Sequence, residues 1–400
     1  MVKSSDFKQA VILAGGLGTR LRPITNTIPK PMIQFHGKPF LEYLLEMLKA
    51  QGFKKVLLLL GYLPEKVVEY FEDGKKWGLE ISYSISDVED DTGLRIQKAK
   101  HLIDQYFMLL YCDNYWPIQF EKMFYKFSNS GVDALITVYN NTDLYTKSNL
   151  RISEDDYIEV YDKTRQTENL KGVDIGFYLL NKKVLDLIPT GNNNFEKSVL
   201  PILIKDKKII TFRSNHRYYS VGSHERLVLT EKFLRNEKTI LLDRDGVINK
   251  KATKANYITK WDEWEWIEGS IEAISVLKKN NYRIIVITNQ AGIARGKMTI
   301  EDLDEIHYQM NLELEKYGGR IDKIYYCPHG WDENCDCRKP KPGMIFKAQQ
   351  EWNLNLSNTY FVGDDERDII PGEQANVKTF QVNEKYKLID FVKNTLLLSS

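Results

Sequence analysis

The stretch LAGGLGTRLRP, residues 13–23, follows a short apolar strand and places three glycines within four positions. Because they lack side chains, Gly15, Gly16 and Gly18 let a backbone approach an anion with its N–H groups pointing outward. Arg20 adds a planar cation whose fork of donors suits phosphate oxygens. The run therefore predicts a site for the phosphates of a nucleotide. Its residues are Leu13, Gly15, Gly16, Gly18, Thr19 and Arg20, with Lys30 between two prolines further along.

A second stretch, LLDRDG at residues 241–246, is an apolar strand that ends in two carboxylates. Residues two apart in an extended segment point the same way, so Asp243 and Asp245 are expected to share one pocket. One carboxylate can attack phosphorus while the other donates a proton to the leaving oxygen. Two close carboxylates repel each other unless a cation intervenes, which predicts Mg²⁺ with Asp364 and Asp365 completing its site. The predicted phosphate donors are Thr288, Asn289 and Lys339.

Strands and helices alternate through both halves of the 400-residue chain, which is 42% hydrophobic. This alternation predicts the α/β class, with two doubly wound, mainly parallel sheets that bind ligands at the carboxyl ends of their strands. The length allows two hydrophobic cores. We expect one domain over residues 1–236 and a second over residues 237–400.

The charge of the chain is balanced, with 56 Lys and Arg against 55 Asp and Glu and a net charge of +1. This balance argues against a general nucleic-acid binder and against a membrane-surface protein. The N-terminus lacks the apolar region of a signal peptide, and no apolar run approaches the ~18 residues of a membrane span. We therefore expect a cytoplasmic protein with small anionic ligands. The sequence leaves open whether the chain forms a homo-oligomer.

Residues 8–235 resemble the sugar-1-phosphate nucleotidyltransferases, through the run from Gly15 to Met32 that includes PKPM at residues 29–32. The resemblance implies a Rossmann-like domain that joins a nucleoside triphosphate to a phosphorylated sugar and releases pyrophosphate. It also implies Mg²⁺ at Asp113, which would offset charge on the transferring phosphate. The other implied contacts are Arg20 and Lys30 on the triphosphate, Lys163 on the sugar phosphate, and Asp162, Asp174 and Glu196 on the sugar.

Three positions depart from the pattern of that family. Cys112 stands where the family usually has glycine, and the glycine-rich segment is reduced to TGLR at residues 92–95. Ser220 stands where a second metal-binding aspartate is common. A serine hydroxyl is a weak, neutral ligand for Mg²⁺, which prefers carboxylate and phosphate oxygens. We still expect an active site, because the two cations and the first aspartate are present.

Residues 238–385 resemble the haloacid dehalogenase (HAD)-type phosphatases in the order of their motifs. A narrower likeness lies in NQAGIARG at residues 289–296 and CDCRKPKPG at residues 335–343, which look like the heptose bisphosphate phosphatases. Histidinol-phosphate phosphatases are close relatives of that group. The resemblance implies Asp243 as nucleophile, Asp245 as acid and base, Lys339 on the phosphoenzyme, and Arg295 and Arg338 on the phosphates of the substrate.

Three of the four cysteines lie within eleven residues, as Cys-x-His at 327–329 and Cys-x-Cys at 335–337. Such clustering in a long chain without a secretion signal favours a metal over disulfides. Four soft or borderline ligands with no open position suit tetrahedral structural Zn²⁺. We expect the zinc to fix the loop that presents Arg338 and Lys339. The predicted ligands are Cys327, His329, Cys335 and Cys337.

The two halves fit one reaction sequence, because a phosphatase that leaves a sugar 1-phosphate would supply a transferase that consumes one. The resemblances predict a bifunctional enzyme that converts D-glycero-D-manno-heptose 1,7-bisphosphate to the 1-phosphate and then to a nucleotide-activated heptose for polysaccharide synthesis. They favour GTP and leave other triphosphates open. One alternative keeps only the phosphatase active, on histidinol phosphate for example. Another makes the first half a nucleotide- or sugar-sensing module.

Overall fold

The computed structural model describes residues 3–253 and 256–396, and the chain divides into two compact units, Met1–Leu234 and Arg235–Ser400. Within the described residues, no helix has both the length and the apolar character that a membrane crossing requires.

The first unit contains strands and helices that alternate along the chain. Its strands are β1 (Gln9–Ala14), β2 (Gln34–Phe35), β3 (Lys38–Pro39), β4 (Lys55–Leu60), β5 (Glu80–Ile85), β6 (Tyr106–Tyr111), β7 (Asn114–Tyr115), β8 (Ala134–Tyr139), β9 (Leu150–Ile152), β10 (Ile158–Tyr161), β11 (Val173–Asn181), β12 (Ile209–Ser214) and β13 (Tyr219–Ser220). Its α-helices are α1 (Phe40–Ala50), α2 (Pro64–Phe71), α3 (Thr92–Ala99), α4 (Phe120–Ser130), α5 (Phe195–Lys205) and α6 (His224–Leu234).

Seven of these strands form one sheet in the order β12-β8-β11-β6-β1-β4-β5. The neighbours β6, β1, β4 and β5 run parallel, whereas β11 is antiparallel to both of its neighbours. Alternate residues of β1 enter two different hydrophobic clusters, Ile12 in one and Val11 in the other. Both faces of the sheet are therefore covered, as a sheet with crossover helices requires.

The second unit has a five-stranded sheet in the order β16-β15-β14-β17-β18, and every strand pair in it is parallel. Its strands are β14 (Thr239–Leu242), β15 (Arg283–Asn289), β16 (Lys323–Cys327), β17 (Tyr360–Gly363) and β18 (Lys378–Gln381). Its α-helices are α7 (Ser270–Lys279), α8 (Ile300–Glu315), α9 (Gly343–Trp352), α10 (Glu366–Gln374) and α11 (Leu388–Phe391). The predicted α/β class with two mainly parallel sheets is confirmed.

Candidate active sites

In the second unit, three neighbouring strands bring polar residues to one edge of the sheet. Asp243 follows β14, Thr288 and Asn289 end β15, and Asp364 follows β17. The carboxyl ends of parallel strands meet at the same edge, so residues far apart in sequence become neighbours. Lys339 reaches this edge from a loop and is only 4% exposed.

The amine of Lys339 is held among three groups of the site. Its Nζ donates to the carbonyl oxygen of Ile287 at 2.9 Å and lies 2.8 Å from Oδ1 of Asp243 and 2.5 Å from Oδ1 of Asp368. Asn289 holds the backbone of Lys339 from both sides, with hydrogen bonds of 3.0 and 3.1 Å. The side chain of Asn289, predicted as a phosphate donor, is therefore engaged in positioning the lysine.

Three carboxylates converge beside this lysine. Asp243, Asp364 and Asp368 each offer an oxygen, and these oxygens lie within 4.8 Å of one another. The pKa of Asp243 is raised to about 6. Burial is the largest cause, the negative charges of Asp368 and Asp245 act in the same direction, and Lys339 opposes them. Burial also raises the pKa of Asp364, whose Oδ1 is enclosed without a hydrogen-bond partner. Lys339 and Lys251, whose Nζ lies 2.5 Å from Oδ2 of Asp364, supply two positive charges to three converging carboxylates, and such a group fits a divalent cation.

This group differs from the predicted Mg²⁺ set of Asp243, Asp245, Asp364 and Asp365. Asp365 lies at the start of α10, where its Oδ1 accepts from the backbone N–H of Arg367 at 3.0 Å and from the guanidinium of Arg367 at 2.8 Å. The structure places Asp368 in the group instead. Asp368 lies in the first turn of α10, and its Oδ2 accepts from the backbone N–H groups of Asp364 and Asp365 at 3.2 and 3.3 Å.

Asp245 is held by a set of donors next to the carboxylate cluster. Arg244, which is 1% exposed, donates from Nη2 to both oxygens of Asp245 at 3.0 and 2.9 Å. The amides of Asn249 and Gln290 donate to the same carboxylate at 2.8 and 3.0 Å. Burial raises the pKa of Asp245, but Arg244 and these amides outweigh that effect and the net pKa is below its ordinary value. The side chain is therefore fixed in direction.

A cavity of about 540 Å³ opens over these groups and has a strongly cationic wall. Arg338 lines it and donates to the carbonyl oxygen of His329 at 3.2 Å. Arg295 also lines it, with its guanidinium 5.8 Å from the ring centre of Tyr257. The predicted residues that the structure brings to this cavity are Asp243, Asp245, Thr288, Asn289, Arg295, Arg338, Lys339 and Asp365. Lys251, Asn256, Tyr257 and Arg367 also line it, and sequence reasoning missed them.

The four predicted zinc ligands lie together in the loop before Arg338. Sγ of Cys327 is 3.6 Å from Nδ1 of His329, 3.6 Å from Sγ of Cys335 and 3.3 Å from Sγ of Cys337. These thiols are free, and their separations exceed the ~2.05 Å of a disulfide. Ligands about 2.3 Å from one tetrahedral ion lie on the order of 3.8 Å apart, so the set fits Zn²⁺ with modest expansion.

In the first unit, the glycine loop follows β1 at the centre of the parallel part of the sheet. Gly18 has a φ of 63°, a backbone conformation that favours glycine, and the 3-10 turn that it begins carries Arg20. Asp113 follows the neighbouring strand β6, and its Oδ2 lies 2.9 Å from Nζ of Lys30. The predicted triphosphate cations and the predicted metal-binding carboxylate therefore share one edge of the sheet.

The four residues predicted to contact the sugar have different surroundings. Lys163 and Glu196 form a close ion pair. Asp174 is enclosed and accepts hydrogen bonds from the hydroxyls of Tyr161 at 3.1 Å and Tyr178 at 2.6 Å. Burial, with help from Glu196, raises its pKa to about 6.

Asp162 organises its own loop. Its two oxygens accept from Thr164, Gln166 and Thr167, and these bonds keep the pKa of the carboxyl below its usual range. The carboxylate is engaged within the protein, and so is that of Asp174. Lys163 is the cation among the four residues and its side chain is 43% exposed, so it is the one that suits a sugar phosphate.

Ser220 lies next to Asp113, the predicted Mg²⁺ ligand of the first unit. It pairs with Asn114 in the short β13–β7 ladder, and the N–H of Val221 donates to the carbonyl oxygen of Asp113 at 2.9 Å. The position next to Asp113 therefore carries a neutral hydroxyl. A cation there would have one carboxylate from the protein at this edge and would depend on oxygens of the substrates for the rest.

Comparison with known proteins finds a different family for each part of the chain. The nucleotidyl transferase family matches residues 9–237, and the family of polynucleotide kinase 3 phosphatases matches residues 238–388. A solved structure from Bacillus anthracis, assigned by name to the glucose-1-phosphate thymidylyltransferases, covers 57% of this chain and 96% of its own at 18% identity and a TM-score of 0.52. A likeness at that identity supports the fold alone. The chain is thus an enzyme that combines a nucleotidyltransferase domain with an HAD-type phosphatase domain.

Curated relatives refine the phosphatase assignment. The chain is 43% identical over 132 residues to the D-glycero-beta-D-manno-heptose-1,7-bisphosphate 7-phosphatase of Pseudomonas putida, which covers 33% of this chain and 74% of that protein. It is 40% identical over 157 residues to the corresponding alpha-heptose enzyme of Campylobacter jejuni, a match that covers 39% and 88%. The chain belongs to the nucleotidyl transferase family and also to the heptose-1,7-bisphosphate 7-phosphatase family.

Proposed function

We propose that this protein is a bifunctional, cytoplasmic enzyme of nucleotide-activated heptose synthesis. Its second unit removes the 7-phosphate of D-glycero-D-manno-heptose 1,7-bisphosphate, and its first unit joins the resulting 1-phosphate to a nucleotide, with GTP favoured. The observation that carries the proposal is the buried contact of Lys339 with Asp243 and Asp368 in a cavity that also exposes Arg295 and Arg338. Such a cavity suits a substrate with two phosphates.

In the phosphatase reaction, a carboxylate oxygen of Asp243 attacks the phosphorus of the 7-phosphate. The bond between phosphorus and the sugar oxygen breaks, and that oxygen takes a proton from Asp245, which gains the proton when the anionic phosphate binds beside it. Asp245 then takes a proton from water, whose oxygen attacks the phosphoaspartate and releases phosphate. Lys339 stabilises the charge of the phosphoenzyme, and the donors around Asp245 keep its carboxyl directed at the reacting oxygen.

Mg²⁺ fits the group formed by Asp243, Asp364 and Asp368, because their oxygens lie within 4.8 Å of one another and Oδ1 of Asp364 is enclosed without a hydrogen-bond partner. When bound, the ion would offset the negative charge of the transferring phosphoryl group. In the first unit, Asp113 would hold a second Mg²⁺ together with oxygens of the substrates. The role of the protein side chains is to hold these oxygens in place.

In the transfer reaction, an oxygen of the sugar 1-phosphate attacks the α-phosphorus of the triphosphate. The bond from the α-phosphorus to the bridging oxygen breaks, and pyrophosphate leaves. Arg20 and Lys30 neutralise the triphosphate, while Lys163 holds the sugar phosphate and Glu196 orients Lys163. We assign Zn²⁺ to Cys327, His329, Cys335 and Cys337, where it supports the loop of Arg338 and Lys339 without entering the chemistry.

One observation favours a second candidate function for the first unit. The neutral Ser220 beside Asp113 leaves one carboxylate where two would bind Mg²⁺ more strongly. The first unit would then bind a nucleotide or sugar and regulate the phosphatase without catalysing transfer.

Pyrophosphate release separates these functions. The pure protein is given Mg²⁺, either anomer of heptose 1-phosphate, and GTP, CTP, UTP, dTTP or ATP in turn. We expect release of pyrophosphate with one triphosphate, GTP first. Saturable binding of a triphosphate without release from any combination would support the sensor. Phosphate release from heptose 1,7-bisphosphate is compared with release from histidinol phosphate, and a preference for the latter would contradict the heptose assignment.

A further inference from the structure

A buried arginine lies behind the glycine loop of the first unit. Arg95, on α3, is 3% exposed. Its Nη1 donates to the carbonyl oxygen of Leu60 and to Oγ of Ser86 at 2.8 Å, and its Nη2 donates to the carbonyl oxygens of Asp87 at 2.9 Å and Asp90 at 3.0 Å. All four of these acceptors are neutral oxygens. The guanidinium therefore joins the ends of β4 and β5.

Two glycines make room for this guanidinium. A Cβ atom on Gly15 would lie 2.3 Å from Cζ of Arg95, and one on Gly61 would lie 2.8 Å from both Nη atoms. The turn at Gly61 is also tied to the loop, since the N–H of Tyr62 donates to the carbonyl oxygen of Gly15 at 3.2 Å. By contrast, a Cβ on Gly16 would meet nothing within 4 Å. Gly15 thus packs on Arg95, whereas Gly16 faces open space.

The guanidinium of Arg95 contacts the side of the glycine loop opposite Asp113, whereas the start of its helix α3 contacts residues 193–195 on the sugar side. Asp113 follows β6, on one side of the loop after β1, whereas Leu60 ends β4 and Ser86 follows β5, on the other side. A change at Arg95 should therefore act on the triphosphate more than on the sugar phosphate.

We propose that Arg95 is a positioning residue for the nucleoside triphosphate, which fixes the glycine loop against the ends of β4 and β5. This inference rests on the proposed nucleotide site of the first unit. It also accounts for the departure at residues 92–95, where the glycine-rich segment of the family is replaced by one that contains a long cationic side chain. A fixed loop binds phosphates without first losing its own conformational freedom. The carboxylates of Asp87, Asp90 and Asp91 offset the charge of the guanidinium, so Arg95 acts on the position of the loop.

The test uses full-length R95A, G15A and the double variant G15A/R95A, with exposed Lys66→Ala on α2 as the control. KM and kcat are measured for magnesium GTP and for heptose 1-phosphate, and the dissociation constant of magnesium GTP is measured by titration. Phosphate release by the second unit and the melting temperature report whether each variant is folded. We expect R95A to raise KM for GTP by about tenfold, with KM for the sugar phosphate unchanged.

The double variant provides the sharper result. The methyl group of G15A collides with Arg95, so G15A alone should weaken GTP binding, whereas in the double variant the methyl occupies vacated space and adds little further loss. Three results would overturn the inference and leave the proposed function standing. They are equal KM increases for both substrates in R95A, losses of GTP binding that multiply in the double variant, and unchanged GTP binding in folded R95A. Weaker GTP binding by R95A, with no turnover by the wild type, would support Arg95 and refute transfer. Absence of GTP binding by the wild type would refute both.

Discussion

The candidate sites of both units lie at the carboxyl ends of parallel strands, but their charged side chains differ in how deeply they are buried. In the second unit, Asp243, Lys339 and Asp368 are 8%, 4% and 2% exposed and touch one another. In the first unit, Arg20 is exposed and Lys163 lies on a loop. Covalent attack by a side chain requires a buried charge cluster built before substrate arrives. Transfer between two bound substrates needs an open site in which phosphate oxygens of the substrates supply the remaining negative charge.

The nucleophile gives the largest expected effect. Asp243→Asn removes the attacking carboxylate and should lower phosphate release by about 10³-fold or more, because no other group can form the phosphoenzyme. Nucleotidyl transfer from supplied heptose 1-phosphate should be unchanged. Both rates are measured on one preparation, with exposed Asp262→Asn as the control. Equal loss of both activities in a folded variant would contradict independent sites.

Asp113→Asn should impair the first unit and leave the phosphatase of the second unit intact. We expect pyrophosphate release to fall about 10²-fold, since the amide is a poor Mg²⁺ ligand and Lys30 loses its anionic partner. Phosphate release from heptose bisphosphate should remain at the wild-type rate. Exposed Asp206→Asn serves as control. Full transfer activity in Asp113→Asn would show that the metal is held elsewhere.

Loss of zinc should lower the phosphatase activity of the second unit and leave nucleotidyl transfer by the first unit unchanged. Cys335→Ser removes a ligand and loosens the loop before Lys339, so we expect phosphatase kcat/KM to fall about tenfold and transfer to be unaffected. Metal analysis should find one zinc per wild-type chain and less in the variant. Cys112→Ser, outside the cluster, should retain the zinc. A wild-type protein without zinc that still has full phosphatase activity would contradict the assignment.

The buried Asp174 should affect stability and leave the phosphatase activity unchanged. Its folded pKa of about 6 exceeds the ordinary value of 3.8, so the folded state holds its proton to higher pH than the unfolded chain does. The stability that this group contributes is complete at low pH and is lost as pH rises from about 4 to about 6, amounting to about 3 kcal/mol.

Asp174→Asn cannot titrate and provides the reference for this loss. The melting temperature of the first unit in Asp174→Asn, minus that of the wild type, should increase across this pH window. A difference that stays constant with pH would show that the carboxyl of Asp174 is not protonated in the folded state.

Much of the catalytic edge could be predicted from sequence. Asp243 and Asp364 directly follow apolar strands, and parallel strands bring such positions together. The exchange of Asp365 for Asp368 could not be predicted from a strand pattern, because it depends on which residue of the following helix turns inward. The backbone N–H groups of Asp364 and Asp365 hold the carboxylate of Asp368 at this edge, while Asp365 caps the start of α10.

The sugar side and the glycine loop were less accessible to sequence reasoning. Asp162 and Asp174 have the residue type of sugar ligands, but their oxygens are engaged by loop N–H groups and by tyrosine hydroxyls. The groups that engage Asp162 come from its own loop, and the tyrosines that engage Asp174 come from β10 and β11. Residue type alone does not show which carboxylate oxygens are already engaged in this way. Gly15 had the same limitation, since its lack of a side chain accommodates Arg95, eighty residues further along.

Product analysis from the bisphosphate tests the central claim most directly. The wild type and Asp243→Asn are incubated with Mg²⁺, heptose 1,7-bisphosphate and GTP, and the products are identified by mass over time. We expect the wild type to form heptose 1-phosphate and then GDP-heptose with pyrophosphate. Asp243→Asn should form neither from the bisphosphate, yet make GDP-heptose when given the 1-phosphate. If heptose 1-phosphate accumulated and no nucleotide sugar formed with GTP, CTP, UTP, dTTP or ATP, the account would be contradicted.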